Sequence, residues 1–410
     1  MTEPEAPAPH TAPPASPPIA LPTLRPTPFD PPAELAGLRE TRPIAPLAYP
    51  DGHQGWLVTS HALVRQVLAD RRFSARSELR HLPVQQPGQG PAQPAPPGVF
   101  LSMDPPEHTR YRHLLTGEFT VRRMRRLTER IEAVTGEYLD AMERQGPPAD
   151  LVETFAAPIP ALVICELLGV ADDDRERFLA EAAALMRPGN SHEEVVSAFL
   201  VMQAHMKELV RARRAEPSDD MLSGLTKSDL TDEELANIGF MLLGAGLDTT
   251  TNMLALGTFA LLTHPDQLAV LRAAPDRAEQ VVEELLRYLG IIPFLVRTAL
   301  EDAEVGGELV RAGQTVTLSL PAANRDPGRF PDHPDALDLS RAAGGHLGFG
   351  HGVHQCLGQQ LARVEMRAGY PALFARFPSL RLAVEPGEVP LRTDMAIYGV
   401  HSLPVTWDAG

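Results

Sequence analysis

The chain contains very little cysteine: only Cys165 and Cys356 occur among its 410 residues. Two cysteines so far apart form no disulfide framework and no multi-cysteine zinc or iron–sulfur site. Chemistry at sulfur would therefore depend on a single thiol, and a reducing, cytoplasmic location is expected. Basic residues are also scarce beside acidic ones, 37 against 53, which gives a formal charge of −16. This acidity disfavours nucleic acid as a partner, because binding phosphate requires a net basic face.

Long apolar runs are missing as well. No stretch approaches the 18 or so consecutive apolar residues of a membrane-spanning helix, and the N-terminus lacks the basic-then-apolar pattern of a signal peptide. Apolar residues still make up 43% of the chain, which is enough for a substantial core. The sequence therefore predicts a globular protein with no membrane partner.

Proline is the residue type in excess, with 41 in the chain. Twelve of these prolines fall in residues 1–32, which we expect to be a largely disordered tail, with a docking peptide as the less favoured alternative. A second group lies between Pro83 and Pro97, and long loops in compact domains often cover a site. We therefore assign residues 33–410 to a single domain with a substrate-access loop over 76–100.

Apolar residues recur at helical spacing through most of the chain. Helices are predicted at 60–68, 104–119, 121–142, 193–214, 231–263 and 276–288. The longest, 231–263, opens with a capping-box pattern in which Glu234 follows Thr231 by three residues. Strand patterns are few and late: a hairpin around Gly306 and a β-branched run at 315–320. The predicted fold is mainly α with small sheets.

Cys356 lies in a glycine-rich segment, 349–358, just before a helical pattern. Glycine allows close backbone approach, and a thiolate before a helix receives backbone N–H groups and the positive end of the dipole. Three hypotheses follow: a zinc site with His351 and His354, a Cys–His nucleophile, or a haem held by the thiolate. Cys165, in contrast, lies in an apolar helical run and is typical of buried packing.

The pattern Phe-x-x-Gly-x-His-x-Cys-x-Gly over residues 349–358 resembles the haem-ligand loop of the cytochrome P-450 family. The resemblance implies that family's fold, a triangular helical body with small β-sheets around a buried haem. It also implies that Cys356 is the axial ligand to iron, that Phe349 shields the sulfur, and that His354 reaches a haem propionate. Glycines such as Gly358 would let the loop lie against the porphyrin.

Residues 244–250 of the long helix, the predicted oxygen-binding helix, resemble the oxygen-binding groove of the same family. The resemblance implies that Thr249 hydrogen-bonds dioxygen, that Asp248 delivers protons, and that Ala245 and Gly246 leave room above the iron. An acid beside an alcohol supplies the proton route that O–O cleavage needs. The alternative is that the threonine hydroxyl only bonds back to the helix backbone.

Glu284 and Arg287 resemble the family's buried Glu-x-x-Arg pair, which ties a helix to the loop before the haem ligand. In the family an arginine usually completes this network, but Ala336 occupies that place here. Arg329 or Arg341 is expected to substitute.

His108 and Arg112 lie one helical turn apart and therefore share a face. Together with Arg297, they resemble the family's residues that bind the haem propionates, and buried propionates do require cationic donors. The resemblance extends over about residues 29–407, nearly the whole chain.

The family resemblance also locates the substrate contacts, which are almost entirely apolar here, so that a large lipophilic substrate is expected. The candidates, with further positions near Met186, are Val84, Val99, Phe100, Met241, Leu242, Phe294, Leu295 and Ile397. Several phrases resemble a soluble actinobacterial group that oxidises macrolides, other secondary metabolites and drugs.

Arginines cluster between residues 122 and 130, and a solvated helix face is the usual explanation for such a cluster. The resemblance places this segment beside the surface where an acidic ferredoxin docks, with Arg122, Arg123 and Arg126 as contact candidates.

The activity implied by the resemblance is that of a monomeric haem b monooxygenase, which hydroxylates or epoxidises a macrolide or polyketide in antibiotic biosynthesis. It would use O2 and electrons from NAD(P)H through ferredoxin reductase and ferredoxin. A non-catalytic haem-thiolate sensor and a zinc or cysteine hydrolase are the alternatives.

Overall fold

The computed structural model describes residues 17–85, 93–185, 191–393 and 395–408. Within these ranges the helices are α1 Ala33–Thr41, α2 His61–Ala69, α3 Glu107–Glu118, α4 Val121–Gln145, α5 Pro158–Leu168, α6 Asp172–Leu185, α7 His192–Ala215, α8 Met221–Leu225, α9 Asp232–Thr263, α10 Pro265–Ala273, α11 Ala278–Leu289, α12 Leu320–Asn324 and α13 Gln359–Arg376. The strands are β1 Ile44–Ala48, β2 Gln54–Val58, β3 Phe73–Ser74, β4 Ala149–Asp150, β5 Leu295–Ala299, β6 Ala303–Val305, β7 Glu308–Val310, β8 Thr315–Leu318, β9 Arg381–Leu382 and β10 Pro404–Thr406. The mainly α architecture with small sheets is as predicted.

Local sequence signals set the ends of the predicted helices. The Ser60 side chain caps α2, and the Thr120 side chain caps α4. At α9, Thr231 and Glu234 form the reciprocal capping box that their spacing predicts. Each cap satisfies N–H groups that have no partner within the helix. These helix predictions are confirmed.

The prediction that strands are few and late is wrong for the largest sheet, whose order is β1-β2-β8-β5-β3. Its first two strands come early in the chain and pair antiparallel, with Ile44 opposite Val58. Pro46 hides β1 from pattern recognition, since proline is tolerated only at a sheet edge, where β1 lies. The predicted β6–β7 hairpin is confirmed, with Ala303 opposite Val310.

The long helix α9 passes through two apolar clusters of the core. Its C-terminal half, including Leu254 and Phe259, packs in a cluster with α11 and α13. Its N-terminal half, including Leu235, packs in a second cluster with α3, α5 and α7. Cys165 is fully buried in this second cluster, and burial raises its pKa to about 12, as expected for an inert packing thiol. No single helix among the described residues is long and apolar enough to cross a membrane.

Residues 17–32 pack onto the body, which corrects the boundary predicted for the proline-rich tail. Ile19 bridges to Leu47 in β1. Phe29 is buried, with its ring centroid 5.0 Å from that of Phe259. The domain therefore includes residue 17 onward, because these apolar side chains find partners in the core; the first sixteen residues lie outside the described part.

Candidate active site

The loop before α13 holds Cys356 in a defined place. The Cys356 N–H donates to the carbonyl of Phe349 at 2.9 Å. Gly352 has φ of 75°, and a Cβ there would lie 2.2 Å from the carbonyl oxygen of Leu68 at the end of α2. Only glycine fits such a close backbone approach. The loop is therefore pinned between α2 and α13, and the Cys356 side chain remains exposed.

Protein atoms nevertheless surround the sulfur closely, so that burial raises the pKa of the Cys356 thiol. The N–H of Gly358 and the guanidinium groups of Arg112 and Arg363 act in the opposite direction. Without a metal, desolvation of the sulfur outweighs these favourable groups. A coordinating metal removes a thiol proton outright, so the setting suits a metal ligand better than a free nucleophile.

Basic side chains gather beside this loop. The rings of His108 and His354 lie 4.2 Å apart between centroids. Burial, assisted by nearby Arg297 and Arg112, lowers the pKa of His354 to about 3, and burial also lowers the pKa of His108. Burial lowers the pKa of Arg297 to about 10, although the Asp104 carboxylate opposes that change. In each case burial of the group is the main cause of the lowered pKa, and neighbouring cationic side chains act in the same direction.

The same cluster fits the carboxylates of a haem. Within the described residues, both ring nitrogens of His108 and Nδ1 of His354 are buried without a hydrogen-bond partner. Buried polar atoms normally have partners, and buried cations normally have counter-ions. Two propionates would supply both. Arg80, which sequence reasoning missed, adds to this positive charge, since it lowers the pKa of Arg297.

Contacts at the start of α9 orient α3 and hence its two candidate haem residues. Glu234 accepts hydrogen bonds from Arg110 at 2.6 Å and from the Tyr111 hydroxyl at 2.8 Å. These contacts fix α3 against α9. His108 of α3 is buried, and Arg112 lies one turn further along the same helix.

The middle of α9 has an open face. Gly244 and Ala245 are exposed, although the helix is buried on both sides of them. The Thr249 hydroxyl donates to the carbonyl of Ala245 at 2.8 Å, which is the alternative foreseen for it, while its oxygen keeps lone pairs that can accept. Gly246 faces α5 rather than the open face, since a Cβ on this residue would lie 3.2 Å from Cδ1 of Ile164. The reason predicted for Gly246 is therefore wrong, because its missing side chain serves helix packing.

Asp248 is held by two neighbours. Arg392 donates through its two terminal nitrogens to the two carboxylate oxygens, at 2.5 and 3.1 Å. Asn252 donates to Oδ1 at 3.1 Å. The side chains of Asp248 and Arg392 are each only 10% exposed. Sequence reasoning missed Arg392, since it lies 144 residues after Asp248 in a region with no motif.

A second acid lies behind the threonines of α9. Glu365 of α13 is almost fully buried and hydrogen-bonds to Thr250. Burial raises the pKa of Glu365 to about 8, so this side chain holds a proton at neutral pH.

Glu284 and Arg287 form a fully buried pair, with both side chains 0% exposed and an N–O distance of 2.7 Å. Arg341 completes the network at 3.3 Å from Glu284, and the Asp338 N–H donates to the same oxygen at 3.0 Å. Arg329 bonds instead to the carbonyl of Gly344. Arg287 also donates to the carbonyls of Asn324, Pro334 and Ala336. The pair therefore joins α11 to the segment before the cysteine loop.

The zinc hypothesis finds no support in this geometry. Among the described residues no group of three or more His, Cys, Asp or Glu side chains could hold a metal ion. The site therefore combines one accessible thiol, a buried cationic cluster and an open helix face.

Comparison with known proteins decides between the remaining hypotheses. Residues 178–396 match the Cytochrome P450 family model. The chain is also 51% identical to Cytochrome P450 105C1 of a Streptomyces species over 393 residues, which cover 95% of this chain and 99% of that relative. The chain belongs to the cytochrome P450 family. Members of this family are monooxygenases that use bound haem, O2 and an electron donor, and this P450 is such an enzyme.

Other P450 relatives match over similar lengths. Pentalenic acid synthase of Streptomyces avermitilis is 42% identical and covers 95% of this chain and 98% of its own. The crystal structure of CYP105P1 in complex with filipin I is 41% identical, with a TM-score of 0.89 over 96% of this chain and all of that one. The predicted P450 fold is therefore confirmed.

The predicted substrate-contact residues of this P450 divide by burial. Partly exposed positions are Val84, Val99, Met241, Leu242, Phe294, Leu295 and Ile397. Phe100 is only 1% exposed and packs with Tyr111 and Leu115 in the second apolar cluster. Its prediction as a substrate contact is wrong, because its ring fills the core beside α3. Met186 and residues 86–92 of the predicted access loop lie outside the described residues.

The arginines at the start of α4 are partly neutralised. Arg123 is 12% exposed and pairs with Glu118. Asp219 pairs with Arg122 at 3.3 Å and also with Arg126. The prediction of Arg123 as a partner contact is therefore wrong, because its side chain turns inward.

Proposed function

We propose that this P450 inserts one oxygen atom of O2 into a large lipophilic substrate by hydroxylation or epoxidation. The observation that carries the proposal is the accessible Cys356 thiol beside a buried cationic cluster. Haem b, when bound, supplies oxygen activation, which a thiolate ligand favours. Cys356 would hold its iron, and His108, Arg112, Arg297 and His354 would hold its propionates.

Asp248 and Thr249 are proposed to move protons toward the open face of α9. The Thr249 hydroxyl is fixed by its bond to Ala245, which leaves its lone pairs as the acceptors on that face. The Asp248 carboxylate lies next in sequence and would bring protons from outside. An acid and an alcohol in this order give a directed route, because each group can both accept and donate a proton.

A macrolide or polyketide is the proposed substrate class. Its support is the apolar character of the partly exposed positions Met241, Leu242 and Phe294, together with the filipin I bound to CYP105P1. Another relative is named for the synthesis of pentalenic acid. We also propose that the enzyme is monomeric and cytoplasmic and tailors an antibiotic-type metabolite; the two unpaired cysteines support the cytoplasmic location.

Replacing Asp248 by asparagine should lower the kcat of O2-driven turnover about 100-fold, since the amide cannot carry the proton. Turnover should be measured with ferredoxin, its reductase and NADPH. The substrate should be the macrolide or polyketide that gives the largest haem spectral shift in a panel. Glu233→Gln, at an exposed acid in the first turn of the same helix, is the control and should retain full activity. An Asp248→Asn enzyme with more than half of the normal kcat would exclude this acid from proton delivery.

An acidic ferredoxin is proposed to dock near the start of α4. Arg122 is 84% exposed and Arg126 is 51% exposed, so that both guanidinium groups reach solvent despite their shared Asp219. Helix α4 packs on α13, which begins just after the cysteine loop. Electrostatic attraction at such a surface raises association rates and makes them sensitive to salt.

Charge reversal of Arg122 and Arg126 to glutamate should slow reduction by ferredoxin about tenfold at low salt and leave peroxide-driven turnover intact. The measurement is stopped-flow reduction at two salt concentrations. Arg144→Glu, at an exposed position in the last turn of α4, changes the same charge at the far end of the helix and should have little effect. Equal loss of ferredoxin-driven and peroxide-driven turnover would contradict the docking proposal.

A further inference from the structure

A C-terminal segment, residues 395–400, touches α9 beside the candidate proton carrier. A Cβ on Gly399 would lie 1.8 Å from Oδ1 of Asn252, so that only glycine allows this contact. The carbonyl of Gly399 accepts the N–H of Arg392 at 2.9 Å. Val400 bridges to Leu391 in the same pairing. The segment therefore carries Arg392 with it.

Arg392 and Asn252 together engage both oxygens of Asp248. Oδ1 accepts one guanidinium nitrogen and the Asn252 amide, and Oδ2 accepts the other guanidinium nitrogen. A bidentate, little-exposed guanidinium pair holds the carboxylate in one rotamer. The carboxylate of Asp248 therefore cannot turn toward another group without first leaving Arg392.

The other end of the segment lies near apolar loops. Ile397, two residues before Gly399, is partly buried against the first apolar cluster. The N–H of Tyr398 donates to the carbonyl of Ile291 at 2.9 Å, next to the loop that carries Phe294. A bulky ligand that pushes on Ile397 would therefore displace the backbone that positions Arg392.

We propose that Arg392 is a positioning residue that holds Asp248 back until a bulky ligand displaces segment 395–400 and releases the carboxylate. The inference rests on the proposed function, which makes Asp248 a proton carrier and places Ile397 against substrate. Proton delivery would then wait for substrate. Linkage gives a consequence that needs no turnover: if ligand binding breaks the ion pair, breaking the pair beforehand must strengthen ligand binding.

The test uses the haem-loaded enzyme and two azoles that bind the iron through the same ring, imidazole and the bulky apolar clotrimazole. Arg392→Gln should tighten clotrimazole about fivefold or more, within the usual range of coupling between sites. The affinity for imidazole, which is too small to reach Ile397, should change less than twofold. Spectral titration measures both. Clotrimazole affinity that is unchanged or weaker would overturn the proposal.

Further variants distinguish loss of the Arg392–Asp248 ion pair, here called the clamp, from general loss of structure. Arg392→Lys keeps the charge and should restore wild-type clotrimazole affinity. Arg381→Gln breaks an exposed pair with Asp408 elsewhere and should leave both azoles unaffected. If Arg392→Gln does not fold, Asp248→Asn breaks the same pair from the other side and should tighten clotrimazole in the same way.

The clamp and the proton role can fail separately. Normal turnover of Asp248→Asn with tightened clotrimazole would leave the clamp standing and reject the acid as proton carrier. Lost turnover with unchanged clotrimazole affinity would do the reverse.

Discussion

Cys356→Ser should abolish the absorption signature of thiolate-ligated haem in the reduced, carbon-monoxide-bound protein and lower O2-driven turnover roughly 10³-fold, about 4 kcal/mol of barrier. The hydroxyl of serine is a much poorer donor of electron density to iron than a thiolate, and it is that donation that favours O–O cleavage. The surroundings of Cys356 also disfavour serine as a ligand. Burial already disfavours an anion at this position, and burial disfavours a serine alkoxide still more.

Cys165→Ala is the matched control, since it removes the other thiol of the chain. That side chain is fully buried among apolar neighbours, so its loss should reduce the free energy of unfolding by only about 1 kcal/mol and leave the spectrum unchanged. A Cys356→Ser protein that retained the thiolate signature would show that another group ligates the iron.

Arg287→Met should reduce the free energy of unfolding by about 3–5 kcal/mol, a large part of the stability of a typical domain. The variant leaves the Glu284 carboxylate fully buried with only the more distant Arg341 as a cation. It also removes the donor from three backbone carbonyls that Arg287 now satisfies. Urea unfolding of the haem-loaded protein measures the change, and haem content should fall with it.

The control is another arginine–carboxylate pair at the same i, i+3 spacing but on the surface. Arg177 and Asp174 are 58% and 52% exposed, with an N–O distance of 3.2 Å. Arg177→Met should change the free energy of unfolding by less than about 0.5 kcal/mol, because solvent screens exposed pairs. Equal urea midpoints for the two variants would show that the Glu284–Arg287 network does not hold the fold together.

Features determined by a few adjacent residues could be predicted from the sequence. Capping boxes such as Thr231 with Glu234 depend on local hydrogen bonds, and they appear where the pattern places them. The cysteine loop is similar, since Gly352 is required by the close approach of the loop to the backbone of α2. The spacing of such residues in the sequence is therefore enough to predict both the local structure and the group that it positions.

Features that depend on distant parts of the chain could not be predicted in this way. The Arg392–Asp248 pair joins residues 144 positions apart in the chain, and no local pattern marks either as a partner of the other. Phe100 and Arg123 are misjudged for the same reason, because burial is a property of the packed molecule. Strand β1 could not be predicted because a proline such as Pro46 is compatible with strand pairing only at a sheet edge, and the edge position of β1 is set by the packed fold.

The proline-rich residues that pack on the body have a practical consequence for handling the protein. The Tyr398 hydroxyl donates to the carbonyl of Pro28, and the Arg25 guanidinium lies 3.7 Å from the centre of the Tyr398 ring. Both contacts brace the segment that carries Ile397 and Gly399. A version of the protein that began at residue 33 would lose both contacts, so we expect its ligand selectivity to change, and affinity tags are better fused ahead of residue 17.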